Sequence, residues 1–217
     1  MTGVKRDASV AAVIGDLVGS RTARDRAALH ARLSALLDEA NEELAPVVPL
    51  RITAGDEFQG CFAEVGVALR ATLWLRLALL PEADLRHGVG WGPVTVLADE
   101  PRVEDGPGWW AARAAIEQAK SDAGRSGLRS RRTAYERADD VEGPDTAAVN
   151  AALICRDQMV GSLSERSLRL LRGLLAGRPQ AALAEEEDVT ASAVSQRVRH
   201  DGLGAIVAAE EMLGRVR

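Results

Sequence analysis

Residues 9–15, Ser9-Val10-Ala11-Ala12-Val13-Ile14-Gly15, form a short apolar run with no alternation, and it stops at Asp16. Such a run has no polar face, which suits a central strand buried on both sides. The period then changes: Leu29, Leu33, Leu36, Leu37 and Leu44 recur at helical spacing, predicting an amphipathic helix over about 23–44. Pro46 and Pro49 end it and lead into a strand over about 47–54. Gly55-Asp56 is a turn signal, and Glu57 to Phe62 reads as the return strand of a hairpin.

A second helix is expected over about 64–80, then an extended segment from Leu85 to Leu97 punctuated by Gly88, Gly90 and Gly92. The loop Asp105-Gly106-Pro107-Gly108 precedes a third helix over about 109–122. This β-α-β-β-α-β order predicts an α/β (α+β) fold of the ferredoxin-like, split βαβ kind, a sheet with helices packed on one face. An arginine-rich stretch (Arg125, Arg129, Arg131, Arg132, Arg137), an acidic loop and a helix from Thr146 to Val160 follow. Gly161-Ser162 reads as a seam, giving an α/β domain over 1–160 and a small all-α domain over 161–217.

Aromatic residues make up only 3% of the chain, so the core must come from Ala, Leu and Val. A net charge of -5 excludes a global basic field, and any nucleic-acid binding has to come from a local patch. Cys61 and Cys155 fit no metal spacing and no disulfide framework; both have apolar neighbours and read as buried core thiols. No signal-peptide pattern and no apolar run of bilayer length are visible. A soluble, cytoplasmic protein with no membrane partner is expected.

Asp16 follows the first strand and Asp56 sits at the hairpin tip. In a split βαβ sheet the first strand is central and lies beside that hairpin, so the two carboxylates can meet at one sheet end. Converging carboxylates repel, a cost that a divalent cation removes, and oxygen ligands suit Mg²⁺ or Mn²⁺. Glu57 is either a further metal ligand or a solvent-facing strand residue. The loop Leu17-Val18-Gly19-Ser20-Arg21 can offer backbone N–H groups and a guanidinium to phosphate. Metal-assisted phosphoryl or nucleotidyl transfer needs this set of parts.

Four segments carry a resemblance. Val13-Ile14-Gly15-Asp16-Leu17-Val18-Gly19-Ser20 resembles the first metal-binding strand and loop of class III nucleotidyl cyclases. Ala54-Gly55-Asp56-Glu57-Phe58 is one residue from the GGDEF signature of diguanylate cyclases. Arg86-His87-Gly88-Val89-Gly90-Trp91-Gly92-Pro93-Val94 resembles a glycine-spaced cyclase strand, and Ala111-Ala112-Arg113 the cyclase Ala-Ala-Arg helix. The departures are Ile52, where that family has its base-selecting lysine, and Trp109 and Trp110, where it has an asparagine. Over nearly its full length the chain more closely resembles the bacterial SatD family, in which Gly55-Asp56-Glu57-Phe58-Gln59-Gly60 and Gly108-Trp109-Trp110-Ala111-Ala112-Arg113 occur together. The cyclase resemblance implies a nucleotide ligand, while the SatD resemblance implies no particular reaction; Arg113, like Arg21, is a candidate phosphate partner by its guanidinium or, on the blander reading, a solvated helix residue. Trp91, Trp109 and Trp110 either stack on a base or pack in the core.

From Leu163 onward a capped helix carries Leu168, Leu171, Leu174 and Leu175 and breaks at Gly177-Arg178-Pro179. A short helix over about 180–187, a turn at Val189-Thr190 and a third helix starting at Ala191 make a helix-turn-helix pattern. It resembles sigma-factor and response-regulator output domains. Thr190, Ser192, Ser195, Gln196, Arg197 and Arg199 are the candidate DNA contacts. Two departures accompany them: Glu187-Asp188 replaces the usual apolar-Gly pair, and residues 161–217 hold 8 Arg against 8 Asp plus Glu. A homodimer would compensate for weak phosphate contact. The leading expectation is a nucleotide- or metal-sensing transcriptional regulator. A Mg²⁺-dependent nucleotidyl cyclase or related phosphoryl-transfer enzyme is the alternative, and a scaffold with relic motifs is the third.

Overall fold

The computed structural model describes residues 8–20, 25–100 and 102–217. The apolar run becomes β1 (Ser9–Val18), the middle strand of a five-stranded sheet. It is followed by α1 (Arg26–Leu44), β2 (Val48–Ala54), β3 (Glu57–Phe62), α2 (Val65–Leu79) and β4 (Asp84–Pro93). The order β2-β3-β1-β4, antiparallel throughout, is that of a split βαβ unit. Gly55, at φ 63, makes the β2–β3 turn in a conformation that glycine adopts without a Cβ clash. Asn41 near the end of α1 both donates to the Leu50 carbonyl (2.9 Å) and accepts from the Leu50 N–H (2.7 Å), pinning that helix to β2.

The sheet departs from the expected one-sided packing. Ala11, Val13 and Leu17 of β1 pack with α1 and α2, whereas Ala12 and Ile14 pack on the opposite face with Trp109, Ala112 and Ile116 of α3 (Pro107–Ala123). The segment expected as one strand to Leu97 ends at Pro93, and β5 (Thr95–Asp99) pairs with β6 (Arg102–Asp105) as a separate hairpin. From α3 the chain returns through β7 (Thr133–Arg137), which pairs parallel with β4. Then α4 (Thr146–Gly161) covers the outer edge of β7. Asn150 donates to the Tyr135 carbonyl (2.7 Å) and accepts from its N–H (3.1 Å), while Asp157 accepts from the N–H groups of Arg132 (2.7 Å) and Thr133 (2.6 Å). Side chains thus satisfy an edge that would otherwise invite another strand.

The last helices are α5 (Glu165–Leu175), α6 (Gln180–Glu186), α7 (Ala191–His200) and α8 (Leu203–Leu213). Their core includes Leu168, Leu171, Leu183, Val194 and Ile206, and Leu73 and Leu77 of α2 belong to the same cluster. The C-terminal helices therefore bury apolar surface against the α/β part. Cys61 is buried as expected; Cys155, on α4, is exposed, because its helix turns Leu153 and Asp157 inward instead. Among the described residues no helix is long and apolar enough to cross a membrane.

Candidate functional site

Asp16 lies two residues before the end of β1, directly opposite Arg86 of β4 in the antiparallel register. The Nη1 of Arg86 donates to both Asp16 oxygens, at 3.2 and 3.0 Å. Gly15 pairs with Phe58 of β3, so the next step in that register brings Asp16 beside Glu57. Burial pushes the Asp16 carboxyl above the ordinary carboxylate range; Arg86 opposes the rise and the negative charge of Asp56 adds to it.

A cleft of about 440 Å³ opens beside Asp56 on the α1 face of the sheet, lined by Leu17 and Ser20, by Arg26, Leu29 and His30 of α1, and by Ile52, Thr53, Gly55 and Asp56 of the hairpin; Asp16 is not among its lining residues. Asp56 joins the two halves of the region: it lines the cleft and acts electrostatically on Asp16. The helix N-terminus at this cleft is partly occupied already, since Asp25 accepts from the Ala28 N–H at 2.9 Å. Arg21 lies outside the described residues. Val18 ends β1, and Gly19 adopts φ 74 in the turn that follows.

Two expected roles are altered by partners on the same face. Glu57 is engaged by Arg113 through two hydrogen bonds of 2.7 Å, so each neutralises the other. Among the described residues no group of three or more His, Cys, Asp and Glu side chains is placed to hold a metal. Asp16 and Asp56 offer carboxylate oxygens, the donor type that suits a hard divalent cation.

The tryptophans do not gather at the cleft. Trp109 is buried between α3 and the sheet, Trp110 donates to Asp105 at 2.7 Å, and Trp91 donates to the Glu142 carbonyl at 2.9 Å. His87 is fully buried, edge-on to Phe58, with neither ring nitrogen hydrogen-bonded; burial, aided by Arg156 and Arg76, pushes it down to about 3 and keeps it neutral. Arg86, Arg26 and His30 were not foreseen as site residues. An Asp can be matched with its cross-strand neighbour only when the register is known, and β-register is not legible from composition.

In the C-terminal helices Thr190 caps α7, accepting from the Ala193 N–H at 3.1 Å. Asp188 takes φ 52, the position that usually calls for glycine, and Glu187 is held by Arg169 (2.6 Å) and Arg166 (3.3 Å). Those contacts account for the acidic pair before the turn. Ser192, Gln196 and Arg199 lie exposed along one side of α7. Ser195 is half-buried, and Arg197 is drawn inward to Ser167 (3.3 Å) and Asp201 (3.4 Å).

Among solved structures the chain is similar to a bacterial light-regulated adenylyl cyclase, with 13% identity and a TM-score of 0.46 over 59% of this chain and 43% of that one. The match thus spans less than half of that cyclase chain. It is also similar to the guanylate cyclase domain of RhGC from Catenaria anguillulae in complex with GTP (18% identity, TM-score 0.42, 52% of this chain and 75% of that one). A third is the guanylyl cyclase domain of the RhoGC fusion protein from Blastocladiella emersonii (20% identity, TM-score 0.42, 51% and 75%). No curated protein matches the chain. The SatD family profile matches residues 10–211, almost the whole molecule, and the chain belongs to the SatD family.

Proposed function

We propose that this SatD-family protein binds a nucleoside triphosphate with Mg²⁺ or Mn²⁺ at the Asp16–Asp56 end of the sheet and performs nucleotidyl or phosphoryl transfer of the cyclase kind. What supports this reading is that Asp16 ends near the hairpin tip, where the charge of Asp56 acts on it, and that Asp56 also lines a cleft opening at the start of α1. Arg26 gives the cleft a guanidinium suited to a phosphate chain, and His30 adds an imidazole hydrogen-bonding group. Ile52 and Leu29 give it an apolar wall suited to a flat ring. Asp16 and Asp56 would hold the cation. When bound, it supplies charge neutralisation and polarisation of the phosphoryl group. The absence of a lysine at position 52 leaves the base without the polar partner that the cyclase resemblance implies.

The test is incubation with Mg²⁺ or Mn²⁺ and each nucleoside triphosphate, following pyrophosphate and cyclic products. Turnover is expected in the wild type and a loss of about 100-fold or more in Asp56→Ala. A wild-type protein that neither binds nor turns over any triphosphate would end this reading.

The regulatory reading comes second, favoured by the exposed stripe Ser192, Gln196 and Arg199 on a helix capped after a turn. With Arg197 and Ser195 drawn partly inward, the stripe is narrower than six residues. In a gel shift against the upstream region of its own gene, Arg199→Ala is expected to weaken DNA binding about fivefold or more. Equal binding by variant and wild type would remove α7 as the reading element.

A further inference from the structure

The β5–β6 hairpin forms a sheet of its own, joined to no strand of the main sheet. Its apolar side chains are poorly covered: Val96, Leu97 and Val103 are all exposed. Glu104 is the exception, with a side chain that is 0% exposed. One of its oxygens accepts from Arg102 of the same hairpin (3.0 Å), and the other accepts from Arg51 of β2 (3.3 Å). The Arg102 bond travels with the hairpin, whereas the Arg51 bond ties it to the main sheet. At the root of the hairpin, Asp105 accepts from the Gly106 N–H (2.8 Å) and from the Trp110 indole N–H (2.7 Å).

Arg51 stands opposite Gln59 in the β2–β3 register, and Gln59 shares a strand face with Cys61. Cys61 is wholly buried on that face, in one cluster with Val48 and Trp109. Burial first, and then the charge of Glu104, push its thiol up to about 12, with Arg51 and Arg102 opposing. We infer that the β5–β6 hairpin is a flap, latched on the Cys61 side of the sheet by the Glu104–Arg51 pair, whose opening admits solutes to that thiol while the main sheet stays folded. The latch is one ion pair whose Arg51 side chain is 34% exposed, so salt screens it. A two-stranded hairpin has little stability of its own. Breaking the latch therefore releases the flap locally, before the sheet unfolds. Closed, the flap keeps Cys61 from forming the thiolate, which is the reactive species.

The experiment is iodoacetamide labelling of Cys61 in the full chain carrying Cys155→Ser, which removes the exposed thiol. Arg51→Gln and Glu104→Gln are compared on that background. The two variants separate unlatching from simple electrostatics. Removing the negative charge of Glu104 favours the thiolate, and removing the positive charge of Arg51 disfavours it. Electrostatics alone thus gives faster labelling in Glu104→Gln and slower labelling in Arg51→Gln. The flap gives faster labelling in both, by about fivefold or more, at a rate that stays flat in low urea because opening exposes little surface. Slower or unchanged labelling in Arg51→Gln would overturn the inference, as would labelling that climbs with urea from the outset in step with global unfolding. If either variant does not fold, the Cys155→Ser chain decides alone. Its labelling is expected to accelerate about twofold or more in roughly 1 M NaCl, where screening reaches the latch; an unchanged rate there overturns the flap.

Discussion

Gly88 and Gly90 show how much single atoms decide in this molecule. A Cβ on Gly90 would run into the Ala112 N–H and the Gly108 carbonyl, and one on Gly88 into the Ala112 carbonyl and the Ile116 backbone. The α3 backbone therefore rests directly on β4, close enough that no side chain fits between. Adding a methyl group must lift the helix that carries Arg113 and Lys120. We expect Gly90→Ala to lower unfolding free energy by about 1–3 kcal/mol in urea titrations. Gly127→Ala is the control: nothing lies within 4 Å of its Cβ, and a change below about 0.5 kcal/mol is expected. Equal effects at the two positions would mean that the close approach of α3 is not what glycine provides. The spacing of Gly88, Gly90 and Gly92 was visible in the sequence, but the helix lying on them was not.

The elements divide by how much of their stability is local. Helices α1 and α2 are legible because leucines recur through both at helical spacing, with α2 buried around most of its circumference. The first strand and the Gly55-Asp56 hairpin are legible from local pattern as well. The missed elements are stabilised from outside. β7 lies in an arginine-rich stretch, and its inward residues Thr133, Ala134 and Tyr135 carry little alternation. Its edge is completed by Asn150 and Asp157, which arrive more than ten residues later. The β5–β6 hairpin is anchored by Glu104, whose fully covered side chain is gripped by Arg51 and Arg102. Neither contact leaves a local signature. The same holds for Glu57, whose pairing with Arg113 spans 56 residues.

At the scale of the whole molecule, a buried network of charges ties the late helices to the sheet. Arg76 of α2 pairs with Asp84 of β4 (2.7 Å) and Asp157 of α4 (3.2 Å), and Arg156 pairs with Glu210 of α8 (3.3 Å). Buried pairs of this kind are costly to break from one side, because the survivor is left charged in a poorly solvating interior. Asp157→Ala would leave Arg76 with Asp84 alone and strand two backbone N–H groups, and we expect a loss of about 3–5 kcal/mol in unfolding free energy. Glu210 behaves differently. Burial pushes its carboxyl above the ordinary value of 4.5, with Arg156 opposing, so Glu210 holds its proton to higher pH in the folded chain than in the unfolded one. Its contribution is full below its unfolded value and is lost as pH rises through the folded one. Glu210→Gln should therefore flatten the decline of stability with rising pH, in thermal melts from pH 4 upward. A steeper decline in the variant would show that the Arg156 pairing outweighs burial.

The reach of that network also sets an order of events during synthesis. Arg156 is translated 54 residues before its partner Glu210. At roughly 5–20 residues per second, it waits about 3–11 s for its counter-charge. Through that interval the face of α2 bearing Leu73 and Leu77 also lacks the helices that cover it. The nascent sheet is therefore an incomplete body, exposed to chaperones and to other chains until the last helix is in place.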